Sequence, residues 1–210
     1  MLDETTLLRN IETFFGAGSN TFIGSLVWLI IYMLKYPDHQ KRMREEINNA
    51  IGRREADYQD ASHMPFTQAF IYEVLQLRTV IPVNLIQRAT EDVRIGEYFI
   101  PADAYVVINF WAVDHDPELW PDPHAFKPER FLSEDGSKVV VPSHFTRWGL
   151  GKRNCIGEGM AKKALFQYVV NFVQNFHLKP PPGEEICTDA YLCLLLQPKK
   201  MPSTIFEPIT

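Results

Sequence analysis

The feature that most constrains the fold is a long stretch of helical periodicity near the start of the chain. Apolar residues recur every three or four positions from Glu4 to about Lys35, which predicts one long helix. Its centre, Gly16 to Thr21, reads GAGSNT, although each glycine inside a helix costs about 1 kcal/mol relative to alanine. We therefore expect another group to approach the backbone closely there. The apolar positions are Leu7, Leu8, Ile11, Phe14, Phe15, Phe22, Leu26, Ile30 and Met33.

The same helix contains the most apolar run of the chain, Leu26 to Leu34. This run is shorter than the roughly 20 residues that a membrane-spanning helix needs, so we expect a buried core helix. The first residues show no basic segment leading into an apolar stretch, so no signal peptide is expected. Either the protein is soluble, or its targeting segment lies outside this chain.

Composition places the chain among ordinary globular proteins and removes several functional classes. Hydrophobic residues make up 46% and aromatic residues 12%, which favours large buried side chains or a bulky apolar ligand. The net charge is −5 and the basic residues are spread along the chain, which argues against a nucleic-acid partner. Three cysteines without a CxxC pair favour a reducing compartment over a disulfide framework, and they suggest no zinc site.

The remaining patterns predict a mainly α protein with small β-sheets. Proline and glycine mark the ends of the predicted helices and strands. Short segments with β-branched residues in the alternating pattern typical of strands occur only in the middle of the chain. The expected elements are helices over 36–52, 64–79 and 160–176, a small sheet within 80–113, a proline-rich structured meander over 115–131 and a short strand over 190–197.

A glycine-rich loop surrounds Cys155. Lys152 and Arg153 precede it and a helix begins after it, and both features favour a thiolate. The loop glycines let the backbone approach a flat group, while Arg153 is available to pair with a carboxylate. Together these features describe haem bound through sulfur, against the alternative of a structural cysteine. Cys187 and Cys193 lack such surroundings and are expected to be structural.

On these residues the chain resembles the C-terminal half of a cytochrome P450, a haem-thiolate monooxygenase of the eukaryotic microsomal type. The resemblance covers essentially all 210 residues and implies the I, J, K and L helices, the meander and the haem-binding loop of that fold. We therefore expect 1–210 to be a partial domain without the family's N-terminal half and its membrane anchor. The loop motif is carried by Trp148, Gly151, Arg153, Cys155 and Gly157.

Two loop residues have specific expected roles. The resemblance implies that Cys155 is the axial ligand of the iron. The family usually has phenylalanine where Trp148 stands. If its indole N–H points at the sulfur, it would withdraw electron density from the iron.

The glycine-containing centre of the first helix resembles the family's oxygen-binding groove. The resemblance implies that Ala17 and Gly18 make room above the iron and that Thr21 holds the oxygen ligand. An acid usually precedes the threonine, whereas Asn20 stands here. Because an amide carries no transferable proton, proton delivery is expected to pass through Thr21 and water. The alternative is a packing defect in a core helix.

The family's Glu-x-x-Arg motif on the K helix is altered in this chain. Glu73 is present, and it is expected to pair with Arg130 of the downstream PERF sequence. Three residues after Glu73 stands Gln76 in place of arginine, and we expect it to donate an uncharged hydrogen bond to that pair. Arg78 is no substitute, because two further residues turn it to another side of the helix.

The resemblance also implies contacts to the edges of the haem and to substrate. Arg88 falls where the family has an arginine that reaches a haem propionate, and Arg153 is expected to anchor a propionate as well. Substrate contacts are expected from the segment 80–85 and from Phe14 and Phe22.

The implied function is insertion of one oxygen atom of O2 into an apolar small molecule. The implied cofactor is haem b, iron protoporphyrin IX, and the implied partner is an NADPH-dependent reductase or another electron donor. By family habit we expect the endoplasmic reticulum membrane, cytoplasmic face. The alternatives are a catalytically impaired haem-binding fragment and a haem-thiolate isomerase. We expect this chain alone to bind haem poorly.

Overall fold

A computed structural model describes residues 3–209. Within them, α-helices form most of the regular structure and the strands form only short antiparallel pairs, which confirms the predicted mainly α class with small sheets. The helices are α1 (Glu4–Lys35), α2 (Pro37–Ile51), α3 (Pro65–Leu77), α4 (Phe110–Asp114) and α5 (Glu158–Asn175), with 3₁₀ turns at Tyr58–His63, Pro128–Phe131 and Gly151–Arg153.

The strands form four two-stranded antiparallel sheets in the described residues. Each pair is short, so the strands flank a helical core and do not form a separate β-sheet layer. The pairs are β1 (Gln87–Arg88) with β4 (Tyr105–Val106), β2 (Val93–Ile95) with β3 (Tyr98–Ile100), β5 (Phe176–Lys179) with β8 (Ile205–Pro208) and β6 (Ala190–Leu192) with β7 (Leu196–Pro198).

The helix α1 runs unbroken through the glycines, as predicted. Asp3 caps it by accepting a hydrogen bond from the Thr6 amide at 2.7 Å. Its length and composition are also those of a membrane-spanning helix, a test that core helices of soluble proteins pass as well. Most residues from Trp28 to Leu34 are buried in the core, as the sequence predicts for this run.

The core lies where the last third of α1 meets α2, α3 and α5. The Trp28 indole is fully buried and donates to the Leu196 carbonyl at 3.1 Å, which ties α1 to β7. The Leu196 amide donates in turn to the Val80 carbonyl at 2.9 Å. These contacts fix the segment after α3 beside α1, where the cavity described below opens.

The proline-rich meander packs against the start of the cysteine loop through aromatic rings. Trp120 and Phe131 are buried, with ring centroids 5.6 Å apart, and Phe131 lies 5.4 Å from Phe145. The meander is therefore an ordered part of the core, as expected.

Three regions differ from the sequence prediction. The single strand predicted over 190–197 is a hairpin, in which β6 pairs with β7. Residues 110–114 form the short helix α4 and no strand, because the Asn109 side chain accepts a hydrogen bond from the Ala112 amide at 3.1 Å and starts a helical turn. The chain after α5 also forms a strand pair, β5 with β8, that the sequence reading missed. Its strands are 26 residues apart (176–179 and 205–208), so no local turn signal marks the pairing.

A buried amide joins three of these elements. Gln40, on α2, is 4% exposed, and its Nε2 donates to the carbonyls of Leu178 (3.1 Å) and Met33 (3.3 Å). Its Oε1 accepts from the Leu178 amide at 3.0 Å and from Arg44 at 3.1 Å. The Gln40 side chain therefore completes the backbone hydrogen bonding of β5.

We predict that Gln40→Leu lowers the free energy of unfolding by about 2 to 6 kcal/mol, since both backbone groups of Leu178 lose a buried partner at about 1 to 3 kcal/mol each. Urea denaturation monitored by circular dichroism measures this loss. Gln59→Leu is the matched control, because Gln59 is exposed; its effect should stay within about 0.5 kcal/mol. Equal stability of the two variants would contradict the assigned role of Gln40.

Candidate functional site

One cavity brings the centre of α1 and the cysteine loop together. It has a volume of about 110 Å³, and both Thr21 and Cys155 line it, so we call it the Thr21–Cys155 cavity. Apolar side chains of α1, α3, the segment after α3 and α5 form part of its walls, with Phe22, Val80 and Leu165 among them. The Cys155 side chain is exposed, so the cavity opens to solvent on the side of the loop.

The backbone of the cysteine loop is held in a tight fold. The Cys155 amide donates to the Trp148 carbonyl at 2.6 Å. Gly149 and Gly151 adopt φ angles of +78° and +69°, a region that favours glycine, so both are required by the conformation itself. Gly157 caps the N-terminus of α5, where a Cβ would lie 3.9 Å from Cys155 Sγ.

Trp148 lies on the wall of the same cavity as Cys155. Its Nε1 is buried and has no hydrogen-bond partner in the described part of the chain. The indole therefore makes no hydrogen bond to Cys155 Sγ here, so the condition for an effect of this N–H on the iron is not met among the described residues.

The α1 side of the cavity offers hydroxyl groups and open space. Thr21 Oγ1 donates to the Ala17 carbonyl one turn back, at 2.7 Å, so its oxygen is left to accept. Ser25, which sequence reasoning missed, lines the cavity and donates to the Thr21 carbonyl at 2.9 Å. A Cβ at Gly16 or Gly18 would meet no protein atom within 4 Å. The expected close approach to these glycines is thus made by no other described part of the chain.

Asn20 faces a different space from Thr21. It lines a second cavity of about 340 Å³, formed with the β6–β7 hairpin, where Cys193 and Leu194 lie. Successive helical residues are rotated by about 100°, so two neighbours in sequence point to different surroundings. The structure does not bring Asn20 to the Thr21–Cys155 cavity.

The structure places Glu73 beside Arg130. The Glu73 side chain is fully buried, with Arg130 Nε 3.0 Å from its Oε2 and the Lys127 amide donating to its Oε1 at 2.6 Å. Arg130 also donates to the carbonyls of Pro121, Asp122 and Ala125 and so anchors the meander. Burial raises the pKa of Glu73 to about 7, against the opposing effects of the Lys127 amide and Arg130.

Gln76 does not join this pair, which corrects the expectation. Its Nε2 donates instead to the backbone carbonyl of Asp114, and its buried Oε1 has no partner in the described residues. The Asp114 carboxylate binds Arg147, with Nη2 to Oδ2 at 2.9 Å, and accepts from Thr79 Oγ1 at 2.6 Å. Sequence reasoning missed Asp114 and Arg147, because no spacing relates residues 33 apart.

The two arginines assigned to haem propionates lie away from the cavity wall. Arg88 Nη1 is 3.2 Å from Asp103 Oδ1, on the surface, and Arg153 is exposed. Neither lines the Thr21–Cys155 cavity. Their propionate contacts stay predictions.

The predicted substrate contacts are partly brought together. Phe22, Val80 and Ile81 line the Thr21–Cys155 cavity, whereas 82–85 do not. Phe14 is exposed on α1 and lines neither cavity.

The chemical types of the residues around this cavity are suited to binding haem. Sulfur is a ligand suited to iron in a porphyrin, and Cys155 stands at an open face with the α1 groove opposite. The open space at Gly18 and the buried indole donor without a partner both suit a further group between α1 and the loop. Cys155 would hold the iron, and the apolar walls would contact the porphyrin.

We predict a pH dependence of stability that belongs to Glu73. Because its folded pKa is raised from 4.5 to about 7, the folded state holds the proton more tightly, so stability falls as pH rises through this interval. Relative to Glu73→Gln, the unaltered protein should lose about 3 kcal/mol of unfolding free energy between pH 4.5 and pH 7.5. Urea denaturation across this range measures the difference.

The control for this prediction is Glu45→Gln, at an exposed carboxyl of α2. Its unfolding free energy should follow that of the unaltered protein at every pH. A gain of the unaltered protein over Glu73→Gln with rising pH would contradict the prediction, since Arg130 would then lower the Glu73 pKa.

Known proteins resemble this chain over almost its whole length. A sequence model described as Cytochrome P450 matches residues 1–205. The curated relatives include Cytochrome P450 1A1 of Pleuronectes platessa, 38% identical over 88% of this chain and 36% of the relative. They also include a steroid 17-alpha-hydroxylase/17,20 lyase of Peromyscus leucopus, 37% identical over 96% of this chain and 41% of the relative.

A solved structure of a zebra fish cytochrome P450 with abiraterone matches all of the described fold. Its TM-score is 0.90 at 30% identity, covering 100% of this chain and 50% of that one. The chain therefore spans half or less of the length of these relatives. With the family sequence model matching nearly every residue, and with Cys155 and Thr21 on one cavity, the chain belongs to the cytochrome P450 family.

Proposed function

We propose that this chain carries the haem-ligating and oxygen-facing part of a monooxygenase, which inserts one oxygen atom of O2 into an apolar organic substrate. The observation that carries the proposal is the Thr21–Cys155 cavity, where a thiol and a helix hydroxyl share one apolar space. When bound through Cys155, haem b supplies the redox chemistry that activates O2.

Thr21 is the residue that presents a proton to this space. Its hydroxyl proton is directed at the Ala17 carbonyl, so it must turn away from that carbonyl to donate into the cavity. Its oxygen accepts hydrogen bonds in the meantime. Ser25 donates to the Thr21 carbonyl one turn further along and keeps this part of α1 in order. Since Asn20 lines the other cavity, the proton is resupplied by water.

The apolar walls favour an apolar substrate. Phe22, Val80 and Ile81 give the cavity an apolar wall that can contact the apolar parts of a substrate. The likeness to a protein named steroid 17-alpha-hydroxylase/17,20 lyase supports a bulky substrate of fused rings. We infer an NADPH-dependent reductase as electron donor and the endoplasmic reticulum membrane as location, from family membership alone.

A second candidate is a haem-thiolate protein without oxygenase activity, such as an isomerase. Two observations favour it: Asn20 is turned away from Thr21, and Gln76 brings no charge to the Glu73 pair. The two candidates share the Cys155 ligand and differ in whether Thr21 matters for turnover.

The Cys155 assignment predicts a spectroscopic change. In the haem-loaded full-length protein, the ferrous carbonyl complex should show the strongly red-shifted band of thiolate ligation. Cys155→Ser should lose that band, because a hydroxyl does not replace the thiolate donor. Cys193→Ser, at another exposed cysteine, should retain it. Retention of the band in Cys155→Ser would refute the proposed ligand.

The Thr21 assignment predicts a loss of turnover. Thr21→Ala should lower product formation by about 100-fold, a usual size for one proton-transfer group, while reductant consumption continues. Product is measured with an apolar probe substrate and a reductase. Thr13→Ala is the matched control, because Thr13 Oγ1 makes the same bond to Arg9 O at 2.8 Å on an exposed part of α1. Equal product formation by the two variants would contradict the role of Thr21, and absence of oxygenated product from the unaltered protein would favour the isomerase candidate.

A further inference from the structure

A buried ion pair stands at the wall of the Thr21–Cys155 cavity. The side chains of Arg147 and Asp114 are 7% and 2% exposed, with Nη2 and Oδ2 2.9 Å apart. Arg147 directly precedes Trp148 in the cysteine loop, while Asp114 ends α4. The pair therefore joins the cysteine loop to α4.

Of this ion pair, the cationic residue belongs to the cavity lining and the anionic residue does not. Arg147 lines the cavity, whereas Asp114 does not. The carboxylate accepts a hydrogen bond from Thr79 Oγ1 at 2.6 Å, just after α3, and the Asp114 carbonyl accepts one from Gln76 at the end of α3. Arg147 Nε is buried and has no hydrogen-bond partner among the described residues.

The charge of Arg147 acts more strongly on a group bound in the Thr21–Cys155 cavity than the charges of the other basic residues of the loop. Lys152 and Arg153 are exposed, so water and salt screen them. Burial lowers the pKa of Arg147, with the Asp114 carboxylate opposing this, but an arginine starts high enough to keep its proton. Because a charge acts more strongly in a low-dielectric interior, the orientation of this pair matters to any group bound in the cavity.

We propose that Arg147 is a positioning residue that holds a positive charge against the Thr21–Cys155 cavity and thereby raises the reduction potential of haem bound there. The inference rests on the proposed function, since it requires haem on Cys155. Reduction moves one electron from an external reductant onto the iron and makes the haem–thiolate unit more negative. A nearby cation stabilises that reduced state, and the more distant carboxylate opposes it only in part.

The test is a reductive titration of the haem-loaded full-length protein with dithionite, which gives the midpoint potential of the iron. Arg147→Met removes the cation and should lower the potential. Asp114→Asn removes the opposing charge and should raise it. A role confined to holding the loop in place would move both variants in the same direction, because either change breaks the same pair.

Three further variants separate charge from packing. Arg147→Lys keeps the charge and should keep the potential while lowering the melting temperature, since lysine lacks the arginine fork. The double variant Arg147→Met/Asp114→Asn should fall between the two single variants. Arg44→Met is the control: Arg44 is partly buried and donates to the Val173 and Phe176 carbonyls away from the cavity. It should lose stability without a change in potential.

The outcomes are distinguishable from failure of the proposed function. Absence of the thiolate band in the ferrous carbonyl spectrum of the unaltered protein would overturn the proposed function, and this inference with it. With that band present, shifts of Arg147→Met and Asp114→Asn in one direction would overturn this inference alone. If Arg147→Met does not bind haem, Asp114→Asn decides: a rise in potential supports the inference, and no change or a fall overturns it.

Discussion

The site depends on the packing of the last third of α1 against α3 and α5. This core holds Trp28 fully buried and hydrogen-bonded to the chain beyond α5, so α1 cannot slide along its axis without breaking that contact. Thr21 lies two turns before Trp28 on the same helix, and Cys155 stands just before α5 begins. The cavity between the hydroxyl and the thiol is thus a consequence of core packing, while its lining needs only a few specialised side chains.

Two buried carboxylates connect this core to the loops around it. Glu73 anchors the meander through its ion pair with Arg130. Asp114 anchors the cysteine loop through its ion pair with Arg147. Each has a single arginine within ion-pair distance among the described residues, so replacing that arginine would leave the carboxyl without an opposite charge beside it. Gln76 stands between the two systems without a charge of its own and bonds to the backbone of Asp114. The altered K-helix motif therefore leaves the meander anchored by one ion pair, and a second pair anchors the loop.

Features of the fold that depend on residues close together in the sequence were predictable from local sequence patterns. The helical period gave α1 its bounds, and the glycines with the basic residues marked the cysteine loop. The direction in which a side chain points and its partners far away in the sequence were not predictable. The helical periodicity of α1 does not show that Asn20 lies beside the β6–β7 hairpin. No local pattern shows that β5 pairs with β8. The cap at Asn109 overrode the β propensity of the residues after it. The partner of Arg147 lies 33 residues away, and only the tertiary fold brings the two together.

The central claim is that the sulfur of Cys155 binds the iron of a haem facing the centre of α1. X-ray absorption at the iron edge of the haem-loaded full-length protein tests that bond directly, because sulfur scatters differently from nitrogen and oxygen. The account predicts one sulfur neighbour at about 2.3 Å, a usual metal–thiolate distance, in addition to the porphyrin nitrogens. An iron surrounded by nitrogen and oxygen alone would contradict it.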